Sequence, residues 1–474
     1  MTPFQLDGRP VPDLVTDLPG PKSRAQRVRE SSVLYRGTGD HLAPVVMARK
    51  SGFVVEDLDG NLFLDMASAS ASVPLGAAHP RILEAALAAV ARYGNEDAHA
   101  LTSELVAPLA ERLVELAPEG VTRADIALNG TEAVEIAIRL MRRATGRPII
   151  LAFMGSYHGE SSMTVSLGAE VAELSRGVRA VVPGFVHVPF PHPYRSPFGE
   201  PRPGGTGDAT VDYIRDHLLF HALDPADVAG VMIEPVLGSG GVVEPPSTFF
   251  PALQALCREH DWLLCADEVK TGCGRTGTFL AVERLGVRPD LICLGKGLGG
   301  GVMPIGAVLG TERVLGAFDD VATGSTWAWL PGSCAAALAL LDELHRPGVL
   351  EHVRAIEERS RQVFGVLVDD HDCVGDVRSV GALTALELVS DRATRERAPE
   401  LQEAVAHEMF RRGLLADSST TSINIQPSLV TPLEVIDQAA EIVGASLAAA
   451  AGVSGGRSSG WSGAGRNDGE AHGQ

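Results

Sequence analysis

A buried primary amine loses its proton readily and can condense with an aldehyde to form an imine. This chain offers few amines for that role. Of its 40 lysine and arginine residues only four are lysines: Lys22, Lys50, Lys270 and Lys296. The arginine excess fits the codon bias of a GC-rich genome, as does the load of Ala, Gly and Pro. Lys22 falls in a leader of mixed Pro, Gly and charge, and Lys50 precedes a hairpin expected at the surface. Lys270 and Lys296 remain, and only Lys296 occupies a glycine-rich turn at a strand end, in DLICLGKGLGGG. The flanking glycines leave room for a ligand. The competing reading of Lys296 is a solvated turn lysine.

Two other segments carry chemistry. In LLCADEVKTGCGRTG, Asp267 and Glu268 emerge at the carboxyl end of an apolar strand, where open α/β sheets bind ligands. A carboxylate there needs a partner, because burying it alone is expensive; an ion pair with an arginine would satisfy it equally. In IALNGTEAVEIAIRL, a strand end runs through Asn129-Gly130-Thr131 straight into a helix. Free N–H groups at such a start, with a hydroxyl in reach, suit a phosphate, although an ordinary threonine cap on a glycine turn has the same sequence. Two cheaper signals fail on context. The GxGxxG of residues 295–300 is followed by GVMPIGAVLG, an apolar strand with a proline rather than the helix a dinucleotide site needs. The two GxSxG matches, 452–456 and 456–460, lie in a tail and not at a strand-to-helix elbow.

The elements that must position these groups alternate along the chain. Helical spacing of apolar residues runs through RILEAALAAVARYG, SELVAPLAERLVELA and GTEAVEIAIRLMRRATG. Wholly apolar runs such as IILAFM, AGVMIEP, WLLCADEV, DLICLGK and IGAVLG read as strands covered on both faces. The order predicts an α/β fold with a mostly parallel sheet covered by helices, in a large domain over 75–340. Residues 31–74, with an Asp-Gly hairpin in FVVEDLDGNLFLDM, are expected to join 341–451 in a smaller α/β domain. Residues 1–30 are expected to be a flexible leader and 452–474 a disordered tail.

Composition removes several classes. The chain has 474 residues, 45% hydrophobic and 21% charged, with a formal net charge of −20. That charge argues against a nucleic-acid partner, and no apolar run reaches membrane-spanning length. The start shows no secretory pattern, and six cysteines without CxxC pairs read as reduced core residues, so a cytoplasmic protein without a metal site is expected.

Together the motifs NGTEAVEIAIRL, SYHGE, IEPVLGSGG, DEVKTGCGRTG, GKGLGGGVMPIGA and GST resemble, in order, those of class III aminotransferases, pyridoxal-phosphate enzymes of fold type I. The resemblance covers about residues 31–448. It implies pyridoxal 5'-phosphate as cofactor, held through an imine by Lys296, with Asp267 pairing the pyridine nitrogen so that the ring acts as an electron sink. It further implies Gly130 and Thr131 at the cofactor phosphate, and Tyr157, before His158, stacking on one ring face with Val269 on the other. Glu234 would lie beside the site. Thr326 would reach the phosphate of a partner subunit, hence a homodimer with shared active sites. Once released, Lys296 would carry the proton shift as base and acid.

Two departures stand out. After Asp-Glu-Val the family commonly has Gln or a neutral residue near the cofactor's phenolic oxygen; here it is Lys270, which would favour the phenolate or contact substrate. Many members carry near the C-terminus an arginine for a substrate α-carboxylate, and Asn424 stands at the matching position. The expected activity is transfer of an amino group from an amine or amino-acid donor to a ketone or aldehyde. The rivals are an aminomutase resembling the glutamate-1-semialdehyde enzymes and a non-catalytic pyridoxal-phosphate binding protein. The chain also resembles aminotransferases of peptide natural-product pathways, including the daptide type, whose acceptor is a ketone at a peptide C-terminus.

Overall fold

Parallel strands need crossovers that cover both sheet faces, so their sequences lack polar alternation. The computed structural model, which describes residues 4–34, 43–95, 97–98, 100–198, 208–316, 324–419 and 422–454, follows that rule. Seven strands form the large sheet, in spatial order Val121–Ala127, Gly306–Thr311, Leu291–Leu294, Leu263–Asp267, Val228–Ile233, Ile149–Phe153 and Phe185–Val188. All neighbours pair in parallel except Gly306–Thr311, which is antiparallel to both strands beside it. The sheet is thus mixed, with its one reversed strand in the segment that carries the proline before it. Strand residues 228–233, 263–267 and 291–294 are buried throughout.

One smaller sheet ties the chain ends together, and a second is built from the C-terminal segment alone. Met47–Ser51, Val54–Asp57 and Leu62–Asp65 form an antiparallel meander. The Asp-Gly hairpin turns where expected, with Gly60 at φ 89°. Leu414–Leu415 pairs in parallel with Leu62–Asp65, placing Leu414 opposite Leu64. The second sheet is an antiparallel set built on Val374–Val380, Leu383–Asp391, Ile423–Ile425 and Asp417–Ser418. The N- and C-terminal segments therefore share a smaller domain.

The expected flexible leader is instead folded over most of its length. Residues Pro21–Ser31 form a helix, and Val11 is fully buried. Side-chain contacts hold it, which periodicity cannot reveal. Asp59, in the hairpin turn, accepts the N–H groups of Lys22 and Ser23 at 2.7 and 2.9 Å, satisfying two donors at the helix start. Asn61 accepts the N–H groups of Val15 and Thr16, and Gln438, in the last helix, donates to the Val11 carbonyl at 3.0 Å. Removing the cap by Asp59→Ala is expected to cost about 1 kcal/mol. Denaturant unfolding measures that cost, and limited proteolysis should then cut first within 21–31. The last helix continues to Ser454, into the expected tail; residues 455–474 lie outside the described residues.

Candidate functional site

A strand that ends inside a covered sheet delivers its next residues to a single edge. Here five chain segments reach the same edge. Val121–Ala127 leads to Asn129 and the helix Gly130–Thr145, Ile149–Phe153 leads to Tyr157 and His158, and Val228–Ile233 leads directly to Glu234. Leu263–Asp267 ends on Asp267, and Leu291–Leu294 leads to Lys296. The reversed strand Gly306–Thr311 begins at this edge, so Met303–Ile305 close the far wall. Together they enclose a cavity of about 480 Å³.

Nine of the ten positions expected from sequence line this cavity. Gly130 and Thr131 lie at the helix start, where no helical carbonyl is available to their N–H groups. The next free donor, Glu132 N–H, is taken by the Asn129 side chain at 3.0 Å. Gly159 stands over Thr131: a Cβ there would come within 2.5 Å of Thr131 Oγ1, so the glycine keeps that hydroxyl uncovered. Val269 packs so closely on Gly130 that a Cβ at 130 would meet its methyl at 2.5 Å. Thr326, the tenth position, does not line the cavity; it lies exposed in the turn after Gly324.

The charged groups form one network. Asp267, 3% exposed, accepts His158 Nδ1–H at 2.7 Å and the Val269 N–H at 3.0 Å. Burial disfavours a charged His158, yet the hydrogen bond and charge of Asp267, with the charge of Glu234, outweigh it and raise its pKa. Its Nε2 is buried with no hydrogen-bond partner among the described residues. Glu234 is held by the N–H groups of Tyr157 and Gly238, both at 2.8 Å, and burial raises its pKa, with the nearby Asp267 charge adding to it. Lys296 lies 5.9 Å from the centre of the Tyr157 ring, and burial lowers its pKa. Its φ of 38° is the left-handed region that a lysine rarely adopts, a local strain of the kind that functional sites hold.

Asp267 and Glu268 part company. Adjacent residues leaving a strand face opposite ways, and Glu268 turns from the cavity to bond the Thr271 hydroxyl and the Val282 N–H. Burial pushes it up to about 7.

A second cavity of about 710 Å³ opens beside the first and shares Ala69, Ser239 and Lys270 with it. It is lined by Lys50, Asp65, Glu170, Asp417 and Asn424, among others. Lys50, expected at the surface, is ion-paired with Asp65. Asp417 accepts from Gln426 Nε2 at 2.7 Å. Asn424 Oδ1 accepts from Ser422 Oγ at 3.0 Å. Among the described residues no arginine lines either cavity. Buried Arg275 is engaged elsewhere, bonding the carbonyls of Ala71, Ala382 and Pro427.

Sequence reasoning missed Asp65, Glu170 and Asp417, which distant segments bring together, and also the turn Ser68–Ala71. All four residues of that turn have positive φ, from 45° to 68°, at about 1–2 kcal/mol each for non-glycine residues. Asp65 caps it through the N–H groups of Ala67 and Ser68, and Arg275 binds its last carbonyl. The small-residue run MASASAS was its one sequence signal.

Comparison with known proteins identifies the family and the fold. The family model described as Aminotransferase class-III matches residues 35–447. An alanine/serine racemase of Pyrococcus horikoshii is 32% identical, over 93% of this chain and 94% of its own. A 4-aminobutyrate aminotransferase of Mycobacterium bovis is 33% identical, over 92% and 98%. Among solved structures, an amine transaminase from an uncultivated Pseudomonas species, in its PLP-bound form, superposes with a TM-score of 0.79 at 29% identity. That match covers 86% of this chain and 94% of the other.

Proposed function

Because the chain belongs to the class III aminotransferases, we propose that it moves an amino group from an amine or amino-acid donor to a ketone or aldehyde. At least one of its two substrates would lack a carboxylate beside the reacting carbon. The observation that carries this is the absence of arginine from both cavities among the described residues, with Asn424 at the position where the family's arginine is expected. A buried guanidinium–carboxylate pair is a strong way to hold an amino acid, and a carboxylate left unpaired in such a cavity is costly.

The family and its PLP-bound relatives imply pyridoxal phosphate as the cofactor, and the residues present fit it. The helix start at Gly130 leaves two N–H donors and the uncovered Thr131 hydroxyl for a phosphate. Asp267 offers a buried carboxylate for a ring nitrogen, and no hydrogen bond or ion pair engages the Lys296 amine among the described residues. When bound, the cofactor supplies an electron sink for the pair left by a broken C–H bond. Lys296 would then take that proton and return it two atoms along, a 1,3-shift, its burial-lowered pKa shifting it toward the neutral amine that can act as base. His158 would fix Asp267 through their 2.7 Å hydrogen bond. Tyr157 and Val269 would confine the ring, with Glu234 holding the Tyr157 backbone in place. Thr326, exposed on this chain, would serve the cofactor phosphate of a second subunit in a homodimer.

The finer reading is an acceptor from natural-product biosynthesis, a small carbonyl compound or a ketone at a peptide end, in a cytoplasmic enzyme. The test compares half-reaction rates of amines matched with and without the α-carboxylate, following loss of the bound cofactor's absorbance. Productive turnover of carboxylate-free amines or their carbonyl products is expected. If every productive substrate carries the carboxylate, the reading is wrong. Release of a keto product at the expense of a free amino donor separates this transferase from an aminomutase or a racemase.

A further inference from the structure

A donor amino acid would still bring a carboxylate to these cavities, and among the described residues no arginine lines their walls. Among the described residues, the cations that do line the two cavities are three lysines and the His158 ring. Lys50 is paired with Asp65, Lys296 is the amine assigned to the chemistry, and His158 is bonded to Asp267. Lys270 stands at the junction, lining both cavities while only 8% exposed. Among the described residues no hydrogen bond or ion pair engages its ammonium. Its position is built: the aliphatic stem lies on Gly238, where a Cβ would approach Lys270 Cδ to 2.4 Å, and Gly238 in turn donates to Glu234. A buried, unpartnered ammonium aimed into a cavity is costly unless something anionic completes it.

We infer that Lys270 is the receptor for the donor's carboxylate, a specificity-determining residue at the junction of the two cavities. This rests on the aminotransferase reading and adds to it. A lysine differs from an arginine here in one physical respect: it can discharge. Arginine remains charged when a carboxylate-free partner occupies the site, whereas a buried lysine can release its proton to solvent. Lys270 is tuned for that. Burial and the neighbouring Lys296 charge lower its pKa to about 8, against the opposing pull of Asp417, Glu234 and Glu170. The same pocket can thus present a cation to an amino acid and a neutral amine to a ketone. Asp65 and Lys50 line the second cavity as a closed pair, and Asp417 is engaged by Gln426, so among the described residues of that cavity Glu170 is the carboxylate left to compete with a ligand.

The test is binding of propionate, an unreactive carboxylate, to the cofactor-loaded protein, measured by calorimetry in the parent, Lys270→Gln and Lys270→Arg. Lys270→Gln should weaken propionate by at least about tenfold, the loss of one charge-assisted hydrogen bond, and Lys270→Arg should restore most of it. In the parent, binding above about pH 8 should take up a proton; in Lys270→Arg it should not. The bound cofactor's absorbance reports that each variant is folded. Propionate that fails to bind the parent, or that binds Lys270→Gln equally well, overturns the assignment. So does a change confined to the pH profile of the cofactor's absorbance, which would place Lys270 against the cofactor. None of these results touches the half-reaction test of the aminotransferase reading.

Discussion

Lys296→Ala is expected to lose the absorbance of the cofactor–lysine linkage and to lower turnover by several orders of magnitude. The expectation follows from position and protonation together. Only an uncharged amine attacks an aldehyde, and burial shifts Lys296 toward that form at neutral pH. The helix start proposed to hold the cofactor phosphate, at Gly130 and Thr131, remains intact in the variant, so cofactor should still bind, but reversibly, and dialysis should remove it. Borohydride reduction supplies the direct check. In the parent it should fix the cofactor irreversibly, and digestion should place the label on the peptide containing Lys296. A label on Lys270 would instead reverse the roles assigned to the two amines.

Asp267→Asn should leave the fold intact, since an amide oxygen can still accept the Val269 N–H that now bonds Asp267 at 3.0 Å. Turnover should nonetheless fall by about 10²–10³-fold, the scale of losing one preorganised electrostatic partner in a water-poor site. The variant carries a second signature. The hydrogen bond and charge of Asp267 work against burial to raise the His158 pKa; with the amide in place, desolvation prevails and the imidazole should titrate at lower pH. Nuclear magnetic resonance of the ring protons reads that shift independently of turnover. A near-normal rate with an unshifted His158 would make Asp267 a structural residue.

How much of this was legible in the sequence depended on whether the determining contacts were local. Lys296 stood out because an apolar strand and a glycine-rich turn are neighbours in the chain, and Gly130 because strand, turn and helix follow without interruption. The covered sheet was legible for the same reason, in runs of apolar residues without alternation. The leader was misread because its anchors are single polar side chains, one of them Gln438 at the other end of the chain. The second cavity left no local trace either: Asp65, Glu170 and Asp417 belong to three separate elements. The turn at Ser68–Ala71 depends on Arg275 for a partner, and small residues alone announce no such backbone. Glu268 is a different kind of miss. The alternation of side chains along a strand already implies that Asp267 and its neighbour face opposite ways.

The two cavities also divide differently along the direction of synthesis. Every described residue lining the first lies between 69 and 305, whereas the second is closed by residues 415–419 and Asn424. A chain emerging from the ribosome therefore carries every described residue of the first cavity well before the wall that closes the second exists. That wall is brought home by the pairing of Leu414 with Leu64, a contact between residues 350 positions apart, of the kind that forms late because the intervening chain must first be ordered. Maturation would thus proceed from Lys296 in an open groove to a two-chambered site, the second chamber being closed only when the C-terminal segment docks.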